Sequence, residues 1–273
     1  MRTVRYTLPT DTSFFTPLQL QPRMLLSQGM SAWARWARAN LVSFPRLVKE
    51  HGASLVMLGI RLEYLAPFRF FDADEVEVVI DVHARAGGEL LTADLRFNAA
   101  GREIVRGDFV MKPVLLTEMT SLTATPGPLP AALMARFEPD EIVPGKPERL
   151  VGPLVESIES GGQPIATWEH PFTVHRSHCE VADQWSFTDV ADLAAASRES
   201  LALTKAGTDA AFRVALAEPI RDIHIEIAKP YFAFDTGTVR TQVYVMEGRP
   251  VFLHRFVSSI GTAKPHGTVV ERF

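Results

Sequence analysis

The apolar residues of this chain recur either at helical spacing or with the alternation of a strand. The same order of helix-like and strand-like segments occurs twice. Residues 22–44 carry Met, Leu, Trp and Ala at helical spacing, which predicts a long helix enclosed by other structure. Segments rich in Val, Ile and Phe with partial alternation follow, as is typical of antiparallel strands joined by hairpins. These predicted strands are residues 55–64, 75–84, 90–97 and 104–114.

The second half of the chain repeats this order. Residues 165–179 predict a first strand and residues 188–205 a helix, and further strands are predicted at 223–227, 239–246 and 250–258. We pair the turn at Gly248 with the turn at Gly101, which shortens the spacing between the copies. The second copy is therefore expected to have lost about one hairpin.

A repeated segment supports the two-copy reading at the level of single residues. Residues 60–72 reappear as residues 223–235 at a constant offset of 163, with identical Ile, Glu, Pro, Phe and Asp at matching places. An internal sequence repeat with so long a period predicts two copies of one structural unit, which together form a pseudo-dimer. Because both copies retain them, we expect Glu63 and Glu226 to serve the sheet, and Asp72 and Asp235 the turn before a strand.

A proline-rich stretch separates the copies. It carries Pro126, Pro128, Pro130, Pro139, Pro144 and Pro147, which predicts a stiff connector with one short helical turn at residues 131–136. We divide the chain into an N-terminal unit at 1–118, a connector at 119–148 and a C-terminal unit at 149–273.

Composition excludes several classes of protein. Hydrophobic residues at 47% and charged residues at 22% are typical of a globular core, and a net charge of −4 gives no reason to expect nucleic acid or an anionic membrane. The single cysteine, Cys179, fits a reducing compartment. The N-terminus lacks the apolar run of a signal peptide, and we expect a soluble, cytoplasmic protein. The motifs of serine hydrolases, dinucleotide enzymes, NTPases and zincins are missing, and no cofactor is expected.

Residues 177–189, Ser-His-Cys-Glu-Val-Ala-Asp-Gln-Trp-Ser-Phe-Thr-Asp, resemble the 4-hydroxybenzoyl-CoA thioesterase-like group of hotdog proteins. In that family an acidic segment ends the first strand, and a short loop leads into the central helix. The resemblance implies an α+β double-hotdog fold, in which each of two tandem units wraps a long helix in a curved antiparallel sheet. Two departures stand out: Glu180 replaces the catalytic aspartate, and Asp183 replaces a glycine of the turn.

The resemblance also implies roles for single residues. Glu180 is the predicted catalytic carboxylate, and the amide that polarises the substrate carbonyl lies at or near Phe187. On an extended strand His178 and Glu180 share a face while Cys179 points away, so His178 is predicted as the second catalytic residue. The predicted substrate-binding residues are Asp183, Trp185 and Phe187, together with Arg61 and His224. Arg61 and His224 are included because they could face the cleft between the copies, although solvated strand positions are open for both.

The first copy lacks a matching acid. The same register, anchored at Pro22, places Phe14 at the position of the acid, and no Asp or Glu occurs between Thr12 and Pro22. A hotdog dimer of identical subunits has two equivalent sites, so this chain is expected to keep one acid-bearing site.

Several functions remain open from the residues. The first is hydrolysis of an acyl-CoA or acyl-carrier-protein thioester in the cleft between the copies. The second is a hydratase or dehydratase that acts on hydroxyacyl or enoyl thioesters, and the third is a degenerate hotdog that binds an acyl chain without catalysis. A homodimer of pseudo-dimers is also open.

Two further readings of the same segment are less favoured. Cys179 is read as a small apolar group rather than a nucleophile, because nothing in the sequence specifies activation of a thiolate. We expect no metal site, because the His, Cys and Glu residues near 170–180 match no compact zinc spacing, and alternation sends His175 and His178 to opposite faces.

Overall fold

A computed structural model describes residues 2–119, 121–260 and 264–273, and the chain divides into two compact units. The first unit comprises the residues up to Phe14, Met24–Ile60 and Leu65–Glu148. The second unit comprises Phe15–Arg23, Arg61–Tyr64 and Arg149–Phe273. Two short segments of the N-terminal half thus belong to the second unit.

Each half of the chain has a long helix followed by antiparallel strands, as the sequence predicts, together with elements that the sequence did not predict. The helices are α1 (Pro22–Asn40), α2 (Phe44–His51), α3 (Ala131–Met134), α4 (Gly152–Ser160), α5 (Thr188–Lys205) and α6 (Ala210–Ala217). The strands of the N-terminal half are β1 (Val4–Pro9), β2 (Ala53–Tyr64), β3 (Glu75–Arg85), β4 (Leu90–Ala99), β5 (Arg102–Leu116), β6 (Ala124–Pro126) and β7 (Ile142–Val143). Those of the C-terminal half are β8 (Ala166–Thr173), β9 (Asp222–Ile227), β10 (Thr236–Met246), β11 (Arg249–Ser258) and β12 (Gly267–Arg272).

The first unit packs α1 against a sheet with the strand order β1-β3-β4-β5-β2. Strand β6 pairs antiparallel with β5, and β7 pairs parallel with β3. Trp33 and Trp36 of α1 are buried, as the predicted enclosed helix requires. At Gly29 the helix approaches β5 so closely that an added Cβ would lie 2.5 Å from the Phe109 ring. The absence of a side chain at this position lets the helix reach the sheet.

The second unit has the strand order β8-β10-β11-β12-β9, with each neighbouring pair antiparallel. Helix α5 packs against β8, β10 and β12. Ala191, Ala194 and Ala202 on its inner face are almost fully buried. Their small side chains allow the helix to lie close to the strands, and the helix begins and ends where the sequence predicts.

The two units repeat one another in strand order and in individual hydrogen bonds. The N–H groups of Leu65 and Ala66 both donate to Ile104 O, at 2.9 and 3.4 Å. Ala228 and Lys229, at the same offset of 163, both donate to His266 O, at 2.8 and 3.0 Å. The internal duplication read from the sequence is therefore confirmed in the backbone.

The repeated aspartates hold the same turn in each unit. Asp72 Oδ2 accepts the N–H of Arg69 at 2.7 Å, and Asp235 Oδ2 accepts the N–H of Phe232 at 2.8 Å. Each carboxylate therefore closes the turn that precedes a long strand, β3 or β10, and the predicted turn role of this pair is confirmed.

The expected loss of a hairpin in the second unit is wrong. Strand β12, which the sequence reading missed, completes the set, so both units have five corresponding strands. Gly248 lies in the turn between β10 and β11, which corresponds to the turn between β3 and β4 and not to the turn at Gly101. The short apolar run of β12 carries a weak signal by itself and is ordered by pairing with β9 and β11.

The first predicted strand of the second unit is also too long. Strand β8 ends at Thr173, and Arg176–His178 forms a single 3-10 turn. The N–H of His175 donates to the Nδ1 atom of His178 at 3.2 Å. A polar side chain that bonds its own backbone in this way competes with the strand ladder, and so the strand stops.

Several other elements differ from the sequence reading. The predicted helix at 22–44 ends earlier, at Asn40, and a separate helix, α2, starts at Phe44 with Pro45 in its first turn. The short helical turn predicted in the connector is α3. Strand β1 and helices α4 and α6 were missed. Among the described residues, no helix combines the length and apolar character that crossing a bilayer demands.

Candidate active site

A tight hairpin in the second unit presents Glu180 beside the start of α5. Glu180 N donates to Gln184 O at 2.8 Å, and Ser186 N donates to His178 O at 2.8 Å. The turn closes when Asp183 N donates to Glu180 O at 3.1 Å. Asp183 has a φ of +52°, a left-handed backbone that glycine adopts easily. The departure from glycine therefore leaves the turn intact, because Asp tolerates this region better than most residues.

The carboxyl group of Glu180 is held by its neighbour in the hairpin. Ser186 Oγ donates to Glu180 Oε1 at 3.1 Å, and Thr188 Oγ1 lies 2.9 Å from Ser186 Oγ. Glu180 is exposed as a residue, yet partial burial of its carboxyl raises its pKa. The Ser186 hydrogen bond opposes that rise, and the charge of Asp189 adds to it. A carboxyl with a raised pKa is a better base than an ordinary glutamate.

The start of α5 lies next to this carboxyl in the chain. Phe187 precedes the first helical residue, Thr188, and no side chain caps the helix there. In the first turn the N–H groups of Asp189 and Val190 donate to Ser186 O and Phe187 O, at 3.2 and 3.3 Å, and the helix dipole at this end favours negative charge. The amide predicted to polarise a carbonyl, at or near Phe187, is thus placed at a helix terminus within a few residues of Glu180.

A second acid lies in the first turn of α5. Asp189 is only 7% exposed, and burial raises the pKa of its carboxyl. Arg23 Nη2 lies 3.1 Å from Asp189 Oδ1, and Arg23 Nη1 lies 2.9 Å from Asp192 Oδ2. The contact with Asp189 is an ion pair without the alignment of a hydrogen bond. Arg23 and His178 lower the pKa of Asp189 and so oppose the effect of burial.

His178 does not share a strand face with Glu180, and that argument from alternation is wrong because both residues lie beyond β8. The rings of His175 and His178 approach edge to face, with centroids 5.6 Å apart, so the expectation that they point to opposite faces is also wrong. The 3-10 turn brings these two rings to one side. The catalytic role of His178 stays a prediction.

The thiol of Cys179 is half-buried rather than fully buried and lies 3.5 Å from His175 O. Burial and the charges of Asp183 and Asp189 raise its pKa. A raised thiol pKa disfavours the thiolate that nucleophilic attack requires. In the part of the chain that the structure describes, no three His, Cys, Asp or Glu side chains group as metal ligands would.

An aromatic cluster lies behind the hairpin. The ring of Trp185 lies 5.7 Å from Phe172, 5.6 Å from Tyr231 and 5.8 Å from Phe256, centroid to centroid. Trp185 and Phe187 are each only 8% exposed. The cluster anchors the hairpin, and the substrate-binding role of these two residues stays a prediction.

The remaining predicted binding residues have partners elsewhere in the second unit. Arg61 Nη2 donates to Glu63 Oε2 at 2.8 Å. His224 is buried, with Nδ1 3.1 Å from Leu150 O and Nε2 3.3 Å from Asp222 Oδ1. Neither contact involves the hairpin of Glu180. A role for Arg61 or His224 in binding substrate stays a prediction.

The position equivalent to Glu180 in the first copy is Thr16 rather than Phe14. Phe15 pairs with Leu20 as Cys179 pairs with Trp185, and Thr16 N donates to Gln19 O at 2.8 Å as Glu180 N donates to Gln184 O. Thr16 Oγ1 accepts the N–H groups of Leu18 and Gln19, so it serves its own turn. The first copy still carries no acid there.

Sequence reasoning missed Arg23, Ser186 and Asp189. A signal existed for two of them: Arg23 is the second residue of α1, and Asp189 is the second residue of α5. The signal was a charged residue in the first turn of each helix, positive in α1 and negative in α5. Nothing in the sequence marks the Ser186 hydroxyl as a partner of Glu180.

Comparison with known proteins identifies the fold through structure alone. No family model matches the sequence, and no curated protein matches it. The structure is similar to the 12:0-ACP thioesterase from Umbellularia californica, with a TM-score of 0.71 and 11% identity over 99% of this chain and 93% of that one. The chain has the double-hotdog fold.

Two further structures agree with this assignment of the double hotdog. A protein from Lactobacillus plantarum, provisionally named oleoyl thioesterase, has a TM-score of 0.71 and 11% identity over 99% of this chain and 95% of its own. An acyl-ACP thioesterase from Bacteroides thetaiotaomicron has a TM-score of 0.66 and 13% identity over 99% and 97%. At such identities the likeness establishes the fold of this chain, and its chemistry must be argued from its own residues.

Proposed function

We propose that this double hotdog hydrolyses acyl thioesters, with Glu180 as the general base. The observation that carries the proposal is the Glu180 carboxyl, whose pKa burial raises, presented by a hairpin that leads directly into the start of α5. A base and an N–H donor for the carbonyl oxygen are the two components that thioester cleavage needs, and we assign both to this one short stretch.

The chemistry follows from this arrangement. Glu180 takes a proton from water as the water oxygen bonds to the thioester carbonyl carbon. N–H groups at or near Phe187 stabilise the negative charge that develops on the carbonyl oxygen. The carbon–sulfur bond then breaks, and the proton held by Glu180 passes to the departing thiolate. The products are a carboxylic acid and a thiol.

The hydrogen bond from Ser186 makes the two carboxylate oxygens of Glu180 inequivalent. Its hydroxyl donates to Oε1 at 3.1 Å, which stabilises the carboxylate and limits its rotation. Oε2 is then the oxygen that receives the proton of the attacking water. Thr188, 2.9 Å from Ser186 Oγ, orients that hydroxyl in turn.

The substrates we propose are acyl-CoA and acyl-carrier-protein thioesters, which share a phosphopantetheine arm. Exposed apolar side chains surround the hairpin: Val181 is 87% exposed, Phe234 64% and Phe232 47%. Ala233 N donates to Asp183 O at 2.9 Å, which ties the segment of Phe232 and Phe234 to the hairpin. These side chains offer an apolar contact for the substrate near the base. His178, Trp185 and Phe187 complete the site in this proposal, and a cytoplasmic location belongs to it.

The test is a thiol-release assay over a panel of saturated acyl-CoA and acyl-carrier-protein thioesters. Wild type should release thiol, and Glu180→Gln should lose about 10²–10⁴-fold in turnover. Glu169→Gln is the matched control, because Glu169 is exposed on β8 and paired with Arg240. Wild-type activity in Glu180→Gln would remove the role assigned to Glu180.

The same panel separates the other functions. Enoyl and hydroxyacyl thioesters are assayed beside the saturated ones. Formation or hydration of a double bond without thiol release would identify a hydratase or dehydratase. Tight binding of an acyl thioester with no turnover of any substrate would identify an acyl-binding protein, and either result would refute the hydrolase proposal.

A further inference from the structure

A cavity of about 660 Å³ lies in the first unit, where α1 ends and α2 begins. Its volume is within the range of small-molecule sites in proteins, roughly 300–1,000 Å³. The apolar side chains that line it are Ala34, Leu41, Val42, Phe44 and Pro45. All of these residues belong to one compact unit, and none is part of the hairpin that carries Glu180.

Contacts around α1 and α2 hold the walls of this cavity in place. The rings of Trp33 and Phe44 pack edge to face, with centroids 5.5 Å apart. Leu41 N donates to Ala37 O at 2.8 Å, and the side chain of Arg136 donates to Leu41 O. A ligand that enters the cavity therefore meets walls that are already ordered, which lowers the cost of binding.

The polar groups of the cavity are hydrogen-bond donors. The remaining lining residues are Arg38, Ser43 and Arg46, and none of the described lining residues is an Asp or a Glu. Ser43 precedes α2, and its hydroxyl makes no capping hydrogen bond to that helix. Two guanidinium groups and a hydroxyl beside apolar walls favour a ligand with an anionic end and a hydrocarbon body.

The charges around the cavity indicate which kind of anion fits. Glu50 accepts from Arg46 Nε at 2.7 Å and from Arg46 Nη2 at 2.8 Å, which leaves Arg46 Nη1 to donate to a ligand. In the part of the chain that the structure describes, Arg38 forms no ion pair. Arg38, Arg46 and Glu50 together carry one net positive charge, which matches a monocarboxylate better than a phosphate with two negative charges.

We propose that this cavity binds an aliphatic carboxylate. The carboxylate accepts hydrogen bonds from Arg38, Ser43 and Arg46, and the hydrocarbon chain lies against Leu41 and Phe44. Fatty acids belong to this class of ligand, as do the acid products of acyl-thioester hydrolysis. The cavity is then a second ligand site of this chain, and its occupation requires no catalytic activity.

The test measures the binding of decanoate by isothermal titration calorimetry at neutral pH, below the concentration at which decanoate forms micelles. Wild type should bind decanoate, and it should bind octanoate more weakly by about fourfold for each CH₂ removed. Decan-1-ol, which has the same chain without the charge, should bind about tenfold more weakly than decanoate. Inorganic phosphate, which lacks the chain, should not displace decanoate.

Two variants test the position of the ligand. Arg38→Gln should weaken decanoate binding about tenfold, because the carboxylate loses a charged donor. Ala34→Phe, which places a ring in the cavity from the side of α1, should abolish it. Arg102→Gln is the matched control, because Arg102 is exposed on β5 of the same unit and donates to Pro67 O outside the cavity. It should bind decanoate as wild type does.

The outcomes separate this inference from the proposed function. Failure of wild type to bind decanoate would overturn the inference, as would unchanged affinity in Arg38→Gln or in Ala34→Phe. Equal binding of decan-1-ol would refute the match of charge. Glu180→Gln should keep the wild-type affinity, and a changed affinity there would move the ligand to the site of Glu180. Calorimetry needs no turnover, so it decides even where the thiol-release assay refutes the hydrolase. Arg38 is exposed, so Arg38→Gln supplies the decision where Ala34→Phe does not fold.

Discussion

Ser186 and Glu180 form a hydrogen-bonded pair six residues apart, with Ser186 Oγ donating to Glu180 Oε1 at 3.1 Å. The bond crosses the hairpin, because Ser186 N also donates to His178 O at 2.8 Å on the strand opposite. The hydroxyl stabilises the charged carboxylate, so it lowers the pKa of Glu180 against the effect of burial. It therefore decides how the base is presented and how easily it gains a proton.

Ser186→Ala should lower kcat/KM about tenfold and move its acid limb to higher pH. The physical reason is that the carboxylate loses a charge-assisted hydrogen bond and is free to rotate. The measurement is a pH–rate profile for thiol release, with Ser160→Ala as control, because the Ser160 hydroxyl donates to Ser157 O at the exposed end of α4. An unchanged profile in Ser186→Ala would show that the hydrogen bond has no part in catalysis.

Wild-type activity should fall toward low pH earlier than an ordinary glutamate would require. Glu180 acts as a base only when ionised, and burial and Asp189 raise its pKa above the usual value. Activity is therefore complete above the raised pKa and is lost as the pH falls through it. Profiles of kcat/KM for wild type and Glu180→Asp check this, and an acid limb at or below pH 4.5, the ordinary glutamate value, would contradict it.

We expect the protein to be more stable with glycine at position 183 than with alanine. The φ of Asp183 is +52°, a backbone conformation in which a Cβ atom is unfavourable. Asp can offset this cost through local hydrogen bonds of its side chain, whereas Ala cannot. Asp183→Gly should be more stable than Asp183→Ala by about 1 kcal/mol in urea unfolding. Because both variants remove the same carboxylate, the comparison isolates the backbone. Equal stability of the two would mean that the turn changes its conformation.

A buried polar chain runs through the core of the second unit. Ser197 Oγ lies 2.7 Å from Thr241 Oγ1, which lies 2.8 Å from His254 Nδ1. His254 Nε2 lies 3.2 Å from Glu271 Oε2, and Glu271 also pairs with Arg198. Arg198 and the hydrogen bond from His254 hold the pKa of Glu271 at about 2, although its burial acts in the opposite direction.

Glu271→Gln should cost about 3 kcal/mol of unfolding free energy, because it leaves Arg198 buried without its main partner. Glu199→Gln is the matched control: Glu199 pairs with the same guanidinium but is 57% exposed, and its loss should cost under about 1 kcal/mol. Urea unfolding at neutral pH checks both. Equal costs would show that burial of the ion pair does not matter.

The same carboxylate should make stability depend on pH. The folded pKa of Glu271 lies below the ordinary value of 4.5, so its contribution is complete above pH 4.5 and is lost as the pH falls toward 2. Wild-type stability should therefore fall across that range, and Glu271→Gln should fall less steeply. If stability fell with pH equally in wild type and in Glu271→Gln, Glu271 would not be the cause of the pH dependence.

Gly29→Ala should destabilise the first unit by about 1–3 kcal/mol, since the added Cβ would lie 2.5 Å from the buried Phe109 ring. Gly207→Ala is the control, because an added Cβ there meets nothing within 4 Å. Thermal unfolding of both variants checks the prediction. A neutral Gly29→Ala would mean that α1 can move away from β5 at little cost.

Local patterns predicted the helices and strands where the pattern was long and the partners were near in sequence. Helix α5 begins and ends as predicted. The sequence repeat around Pro67 and Pro230 marks equivalent turns of the two units. The prediction from sequence failed where contacts with other residues, rather than the local pattern of residues, decide the secondary structure. Strand β12 is one such element, and the end of β8 is another, because a His178 side chain bonds the backbone there.

The sequence by itself determined the duplication, the helix-then-strands order of each copy and the loss of the acid from the first, because periodicity and identity are properties of the chain alone. Only the tertiary structure decided which groups surround Glu180. Arg23 reaches Asp192 across 169 residues, and the Ser186 hydroxyl meets Glu180 only once the hairpin has closed. Such contacts depend on how helices and strands pack, and packing sums many weak interactions that no single segment encodes.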